Sequence, residues 1–128
     1  MAKNTQAADV EVLVCVKCLA GQAVPEGGIR PGQALFNALP PAPDGTRFPP
    51  VGCLQNCDAG CTVAYRGGPA RWSYVYGNFD LATDAPLLAE AASLYRDTAE
   101  GLIPWRSRPE HLKRNCVARI LPLEAPHD

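Results

Sequence analysis

The sequence predicts an α/β domain, a mixed sheet with helices packed on it, and three observations carry that expectation. Val10, Val12, Val14 and Val16 alternate with Glu11, Leu13, Cys15 and Lys17, a period of two in β-branched residues that marks a strand. Thr62–Tyr65 and Arg71–Tyr76 flank the turn residues Arg66-Gly-Gly-Pro-Ala70, which reads as a hairpin with Trp72, Tyr74 and Tyr76 on one face. After Asp84, a capping residue, Leu87, Leu88, Ala91, Ala92, Leu94 and Tyr95 recur at helical spacing, and Gly101 marks the stop. A chain of 128 residues forms one domain and buries enough surface to fold without staples.

The remaining elements follow from local chemistry. Residues 1–9 are small and polar and predict a disordered start; the domain proper runs over 10–109, and 110–128 forms a basic, proline-containing tail. Ala20 to Gly32 holds two prolines and four glycines and is a loop. Pro31 suits the first turn of a short helix whose apolar side is Leu35, Phe36 and Leu39, with Pro40-Pro41 as the stop. Pro43-Asp-Gly45 is a turn. Arg47 to Val51 reads as a short strand that Pro49-Pro50 confines to an edge or a bulge. In the tail, Asn115 to Leu121 predicts one more strand.

Charge and composition exclude several functions. A formal charge of −1 argues against a dedicated nucleic-acid binder. No apolar run approaches the roughly 20 residues of a membrane span, and the first residues do not read as a signal peptide. The expectation is a soluble, cytoplasmic protein with no membrane association. Nothing resembles a phosphate loop, a hydrolytic triad or paired catalytic carboxylates, so no enzymatic activity is expected.

The cysteines carry the chemistry. Cys53, Cys57 and Cys61 recur at every fourth position before the hairpin, and Cys15 and Cys18 close the first strand. In a reducing compartment, clustered thiols point to ligands or redox groups rather than structural disulfides. Cys-x2-Cys and Cys-x3-Cys each let two sulfurs converge on one metal from a single turn, and a [2Fe-2S] cluster takes four thiolates, two per iron. Gly52 and Gly60 would let backbone N–H groups approach the sulfurs and tune the potential.

Three other readings stand beside this one. A zinc site uses the same four thiolates. Cys15-Val-Lys-Cys18 has the form of a thiol–disulfide motif, although such motifs open a helix and here a loop follows. Cysteine also packs well as a small apolar residue, which is the reading for the isolated Cys116. His111 and His127 read as surface groups. The aromatic stripe reads as sheet packing, with a shield over a metal centre as the lesser reading. The cations Arg106, Arg108, Lys113, Arg114 and Arg119 form a solvated surface that could steer an acidic redox partner.

The order strand, loop, helix, strand, hairpin, helix is that of a thioredoxin-type domain. Val-Leu-Val-Cys15 before a loop, Cys53-Leu-x-x-Cys57, the following strand, and the aromatic return strand ending in Tyr76-Gly77 together resemble the thioredoxin-like [2Fe-2S] ferredoxins. They also look like the corresponding module in the small flavoprotein-side subunit of complex I. Val14-Cys-Val-Lys-Cys18, Cys53 to Ala64, Trp72-Ser-Tyr-Val-Tyr-Gly77 and Gly101-Leu-Ile-Pro-Trp-Arg106 are similar to a bacterial family of predicted metal-binding proteins. That family has an uncharacterised domain and is associated with cobalamin-synthesis genes.

The resemblance covers about Glu11 to Pro109 and implies a small electron carrier with a [2Fe-2S] cluster, working in cobalamin or cobalt metabolism with an unidentified redox partner protein. The alternative is a protein that handles or senses zinc, cobalt or iron without transferring electrons. The chain departs from the ferredoxin pattern twice. The second ligand of those ferredoxins lies farther into the loop, near Gly27 and Gly28 here, and a proline commonly stands where this chain has Cys61. The expected ligands are Cys15, Cys18, Cys53 and Cys57, with Cys61 as the substitute for Cys18. A homodimer is compatible with the chain.

Overall fold

A computed structural model describes residues 10–17, 28–52, 54, 61–80 and 83–124. The expectation of a disordered start at 1–9 lies outside the described residues. The elements run β1 (Val10–Cys15), α1 (Pro31–Asn37), β2 (Thr46–Arg47), β3 (Pro50–Val51), β4 (Cys61–Arg66), β5 (Ser73–Phe79) and α2 (Ala85–Arg96). A 3-10 turn (Trp105–Ser107), α3 (Glu110–Arg114) and β6 (Cys116–Ile120) follow.

The six strands make one mixed sheet in the order β2-β1-β4-β5-β6, with β3 also paired to β1. β2 and β3 run parallel to β1, while β4, β5 and β6 are joined by antiparallel pairings. A β-α-β half with parallel strands followed by a β-β-α half is the mixed, helix-flanked sheet expected from the element order.

Val10, Val12 and Val14 are fully buried and share one face of β1. Opposite them on β4 stand Tyr65, paired with Val12, and Val63, paired with Val14. α2 covers this face with Leu88, Ala91, Ala92 and Tyr95, and α1 adds Leu35. The Tyr65 hydroxyl donates to the Leu88 carbonyl at 3.1 Å, tying helix to sheet inside the core. On the other face Glu11 pairs with Arg47 and Arg66, its neighbours on β2 and β4, so one carboxylate bridges three strands.

Local chemistry moved several boundaries. The strand expected from Arg47 to Val51 is two short pieces on the sheet edge, with the Pro49 carbonyl accepting from Val14 N–H between them. The return strand starts at Ser73 rather than Arg71. Trp72 N–H donates to Glu100 O, and the Arg71 guanidinium donates to the carbonyls of Arg96 and Thr98, so both residues serve the end of α2 instead of the ladder. The strand also runs on to Phe79. Between Cys61 and Val63, β5 carries one extra residue, and Asn78 takes φ 59° there, a left-handed conformation that asparagine tolerates.

Asp84 stands at the N-cap of α2, as expected, but makes no capping bond to the helix. Its carboxylate accepts instead from Asp80 N–H at 2.8 Å. Gly101, at φ 76°, is packed so tightly that a Cβ would lie 2.6 Å from the Tyr95 ring. The tail contributes the expected strand, Cys116–Ile120, as the outer edge beside β5.

Candidate metal centre

The C-terminal end of β1, the end of β3 and the start of β4 meet at one end of the sheet. Cys15 is the last residue of β1, 3 % exposed, and stands opposite Val51 of β3. Val16 N–H donates to Val51 O at 3.0 Å, and the Cys15 thiol donates to Gly52 O at 3.9 Å. Cys61 opens β4, is 1 % exposed, and pairs with Phe79 beyond the bulge. The ladder between β1 and β4 is described to Val14↔Val63. One further step would set Cys15 opposite Thr62 and diagonal to Cys61, on strands about 4.8 Å apart.

The pleat separates these two thiols by face. Cys15 follows the parity of Glu11 and Leu13, away from α2, whereas Cys61 follows Val63 and Tyr65 into the core. Cys18, Cys53 and Cys57 lie outside the described residues, as does Gly60. Among the described residues no group of three or more His, Cys, Asp or Glu side chains is gathered for a metal ion. Among the described residues, a Cβ on Gly52 would meet nothing within 4 Å.

The other candidates from sequence resolve into packing. Cys116 is exposed on β6, two strands from β4, and its thiol donates to Ala118 O at 3.6 Å. Desolvation pushes that thiol above the usual cysteine range, which disfavours the thiolate a metal needs. Tyr74 and Tyr76 stack at 5.7 Å within the core, and Tyr76 meets Tyr65 edge-on at 5.6 Å. Burial raises the hydroxyl pKa of Tyr65 and Tyr76 well above the phenol range and that of Tyr95 to about 12, so all three stay neutral. Tyr74 and Tyr76 are therefore sheet packing, and Trp72 precedes β5, at the end of that strand opposite Phe79, the partner of Cys61.

The cations are largely engaged. Arg108 lies over Tyr74 and Trp105 at 5.9 and 5.5 Å, Lys113 over Trp105 at 5.3 Å, and Arg119 over Trp72 at 4.6 Å. Arg114 pairs with Glu110 within α3.

His111 is not the surface group that its isolation in the sequence suggests. Its side chain is 16 % exposed, its ring stacks on Phe79 at 4.3 Å, and Nε2 lies 2.9 Å from Gly77 O. Nδ1 stands 3.9 Å from the Asp84 carboxylate. It thus packs behind the strand pair that carries Cys61. No sequence signal could have shown this, because α3 has only five residues and no readable periodicity.

Residues 12–122 match the model of a family described as a protein of unknown function, DUF1636. The chain belongs to that family. No curated protein sequence is similar to it. Among solved structures, a thioredoxin-like [2Fe-2S] ferredoxin from Aquifex aeolicus is similar at 18 % identity and a TM-score of 0.49, over 94 % of this chain and 100 % of that one. Among the described residues of this family member, no helix is long and apolar enough to cross a membrane.

Proposed function

We propose that this protein holds a thiolate-ligated [2Fe-2S] cluster at the β1/β4 end of the sheet and works as an electron carrier. The observation that carries the reading is the placement of Cys15. Its buried thiol closes β1 and touches the carbonyl of Gly52, the residue bonded directly to Cys53. Cys18 follows Cys15 by three residues, and Cys57 stands midway between Cys53 and Cys61. At no more than about 3.6 Å per residue, chain length keeps each of these thiols within about 15 Å of the ends of β1 and β4. Five thiols within that reach of the two strand ends exceed what packing needs and would suit a soft metal centre.

Cys15, Cys18, Cys53 and Cys57 are the residues that would hold the cluster, which supplies one-electron transfer when bound. Cys15 contributes a thiolate at a site shielded from solvent by its own strand ends. Cys61, on the other face of the pleat, packs beside the site and would tune it rather than hold it. A place in cobalamin or cobalt metabolism belongs to this reading through family resemblance alone, and the redox partner is a protein that the chain does not identify.

Anaerobic purification followed by iron, sulfide and zinc analysis tests the reading. The expected protein is red-brown, with two iron and two sulfide per chain. One stoichiometric zinc without sulfide would replace the electron carrier by a metal-handling or sensing protein.

A further inference from the structure

We propose that His111 and Asn115 are positioning residues for the metal centre: they clamp residues 77–79 of β5 against the start of β4, and through the Phe79 ring they fix how the Cys61 thiol packs beside the cluster. The inference rests on the electron-carrier reading and names the residues that tune that site.

Three successive residues of β5 are held from one short segment. Gly77 N–H donates to Asn115 O at 3.0 Å, and the Asn78 side-chain amide donates to the Asn115 side-chain oxygen at 2.7 Å. The Gly77 carbonyl can only accept, so His111 Nε2, at 2.9 Å, carries a proton and donates it to that bond. The His111 ring covers Phe79, stacked at 4.3 Å. The two clamping residues are tied to each other, since the backbone N–H and the side-chain amide of Asn115 both donate to His111 O at 3.0 Å. Leu112, between them in the chain, is buried in the core and anchors α3.

What is clamped is the irregular part of the strand. Asn78 sits at φ 59°, a conformation that persists where the surroundings dictate it. The extra residue takes Phe79 out of the regular ladder and sets it opposite Cys61, its partner on β4. Phe79 and Cys61 are both buried, so the Phe79 ring, with His111 stacked on it, is an apolar wall on the core side of the thiol. One electron added to a thiolate-ligated cluster adds one negative charge, which water stabilises. A dry wall therefore holds the potential down, and loosening it raises the potential.

The test uses the full-length protein and two readouts. In the metal-free form, iodoacetamide labelling of Cys61 and Cys15 is followed by peptide mass spectrometry. General loosening speeds the labelling of both thiols, whereas loss of the clamp frees Cys61 selectively. His111→Ala and Asn115→Ala should each raise the ratio of Cys61 to Cys15 labelling about tenfold or more, because each opens the strand locally. Tyr95→Phe removes the bond to Trp72 O at the other end of β5 and should leave the ratio unchanged. In the loaded form, an anaerobic dithionite titration should place both clamp variants at a more positive potential than wild type, with altered g values in the reduced protein. Tyr95→Phe should match wild type in both. Circular dichroism checks folding, and Asn115→Ala carries the test if His111→Ala does not fold.

An unchanged labelling ratio in the folded clamp variants overturns the proposal. So does a raised ratio with a wild-type potential, because Cys61 is then held by the clamp without bearing on the centre. A wild type lacking iron and sulfide overturns the electron-carrier reading and the tuning role with it, and the labelling ratio still decides whether the clamp positions Cys61.

Discussion

Replacing Cys61 with alanine separates the two roles a thiol can have at this end of the sheet. Cys61 is 1 % exposed and packs with Val63 and Phe79 on the core face, whereas Cys15 points to the opposite face. Removing the Cys61 sulfur takes away one buried group about the size of a methylene and leaves a small cavity. At ~0.8 kcal/mol for the burial and a similar amount for the cavity, the metal-free protein should lose ~1–2 kcal/mol. For a domain of this length that lowers the melting temperature by roughly 3–10 °C. The loaded protein should keep its iron and sulfide, with a shifted potential or altered oxygen sensitivity.

Cys15→Ala and Cys18→Ala should lose the cluster altogether. The assay is iron and sulfide content with the visible spectrum of anaerobic protein, alongside thermal unfolding of the metal-free form by circular dichroism. Loss of the cluster in Cys61→Ala, with Cys18→Ala still fully loaded, would refute the assignment and exchange their roles.

Three further outcomes follow from the same contacts. Cys116→Ser should leave metal content unchanged, because the thiol is on the far edge strand and donates to Ala118 O; a colourless Cys116→Ser protein would overturn that placement. Tyr65→Phe should cost ~0.5–1.5 kcal/mol in chemical denaturation, since it removes a buried bond that ties the sheet to the Leu88 carbonyl of α2, while Tyr74→Phe should be neutral or slightly stabilising, because the Tyr74 hydroxyl is buried without a hydrogen-bond partner among the described residues. Burial raises Tyr95 from 10.0 to about 12 despite the opposing Arg71 charge, so the folded state keeps a proton that the unfolded chain gives up above about pH 10. That contribution is whole below this pH and lost as pH rises toward 12. Stability should therefore fall across that window, with phenolate absorbance appearing in step with unfolding.

Much of the fold was legible because its signals are local. The alternation from Val10 to Cys15 shows which face of β1 enters the core, and the period of Leu88, Ala91, Ala92 and Tyr95 does the same for α2. Pro31 and Pro49-Pro50 mark a helix start and an edge strand because a ring without an N–H limits where the chain can bond. The cysteine spacing likewise nominates ligands before any coordinate is known, although Cys18, Cys53 and Cys57 lie outside the described residues.

Tertiary structure decided what depends on partners distant in the chain. Arg71 and Trp72 look like strand residues, yet the carbonyls at the end of α2 claim their donors. The extra residue at Asn78 re-aims Phe79 beside Cys61, and His111 reaches that ring from over thirty positions away. The separation of Cys15 from Cys61 by face is a property of register, which emerges only when two strands are paired. Sequence spacing sets how near two thiols can come, because the chain is covalent. Which side of the sheet each one faces is set by the pleat of the strands on which it sits.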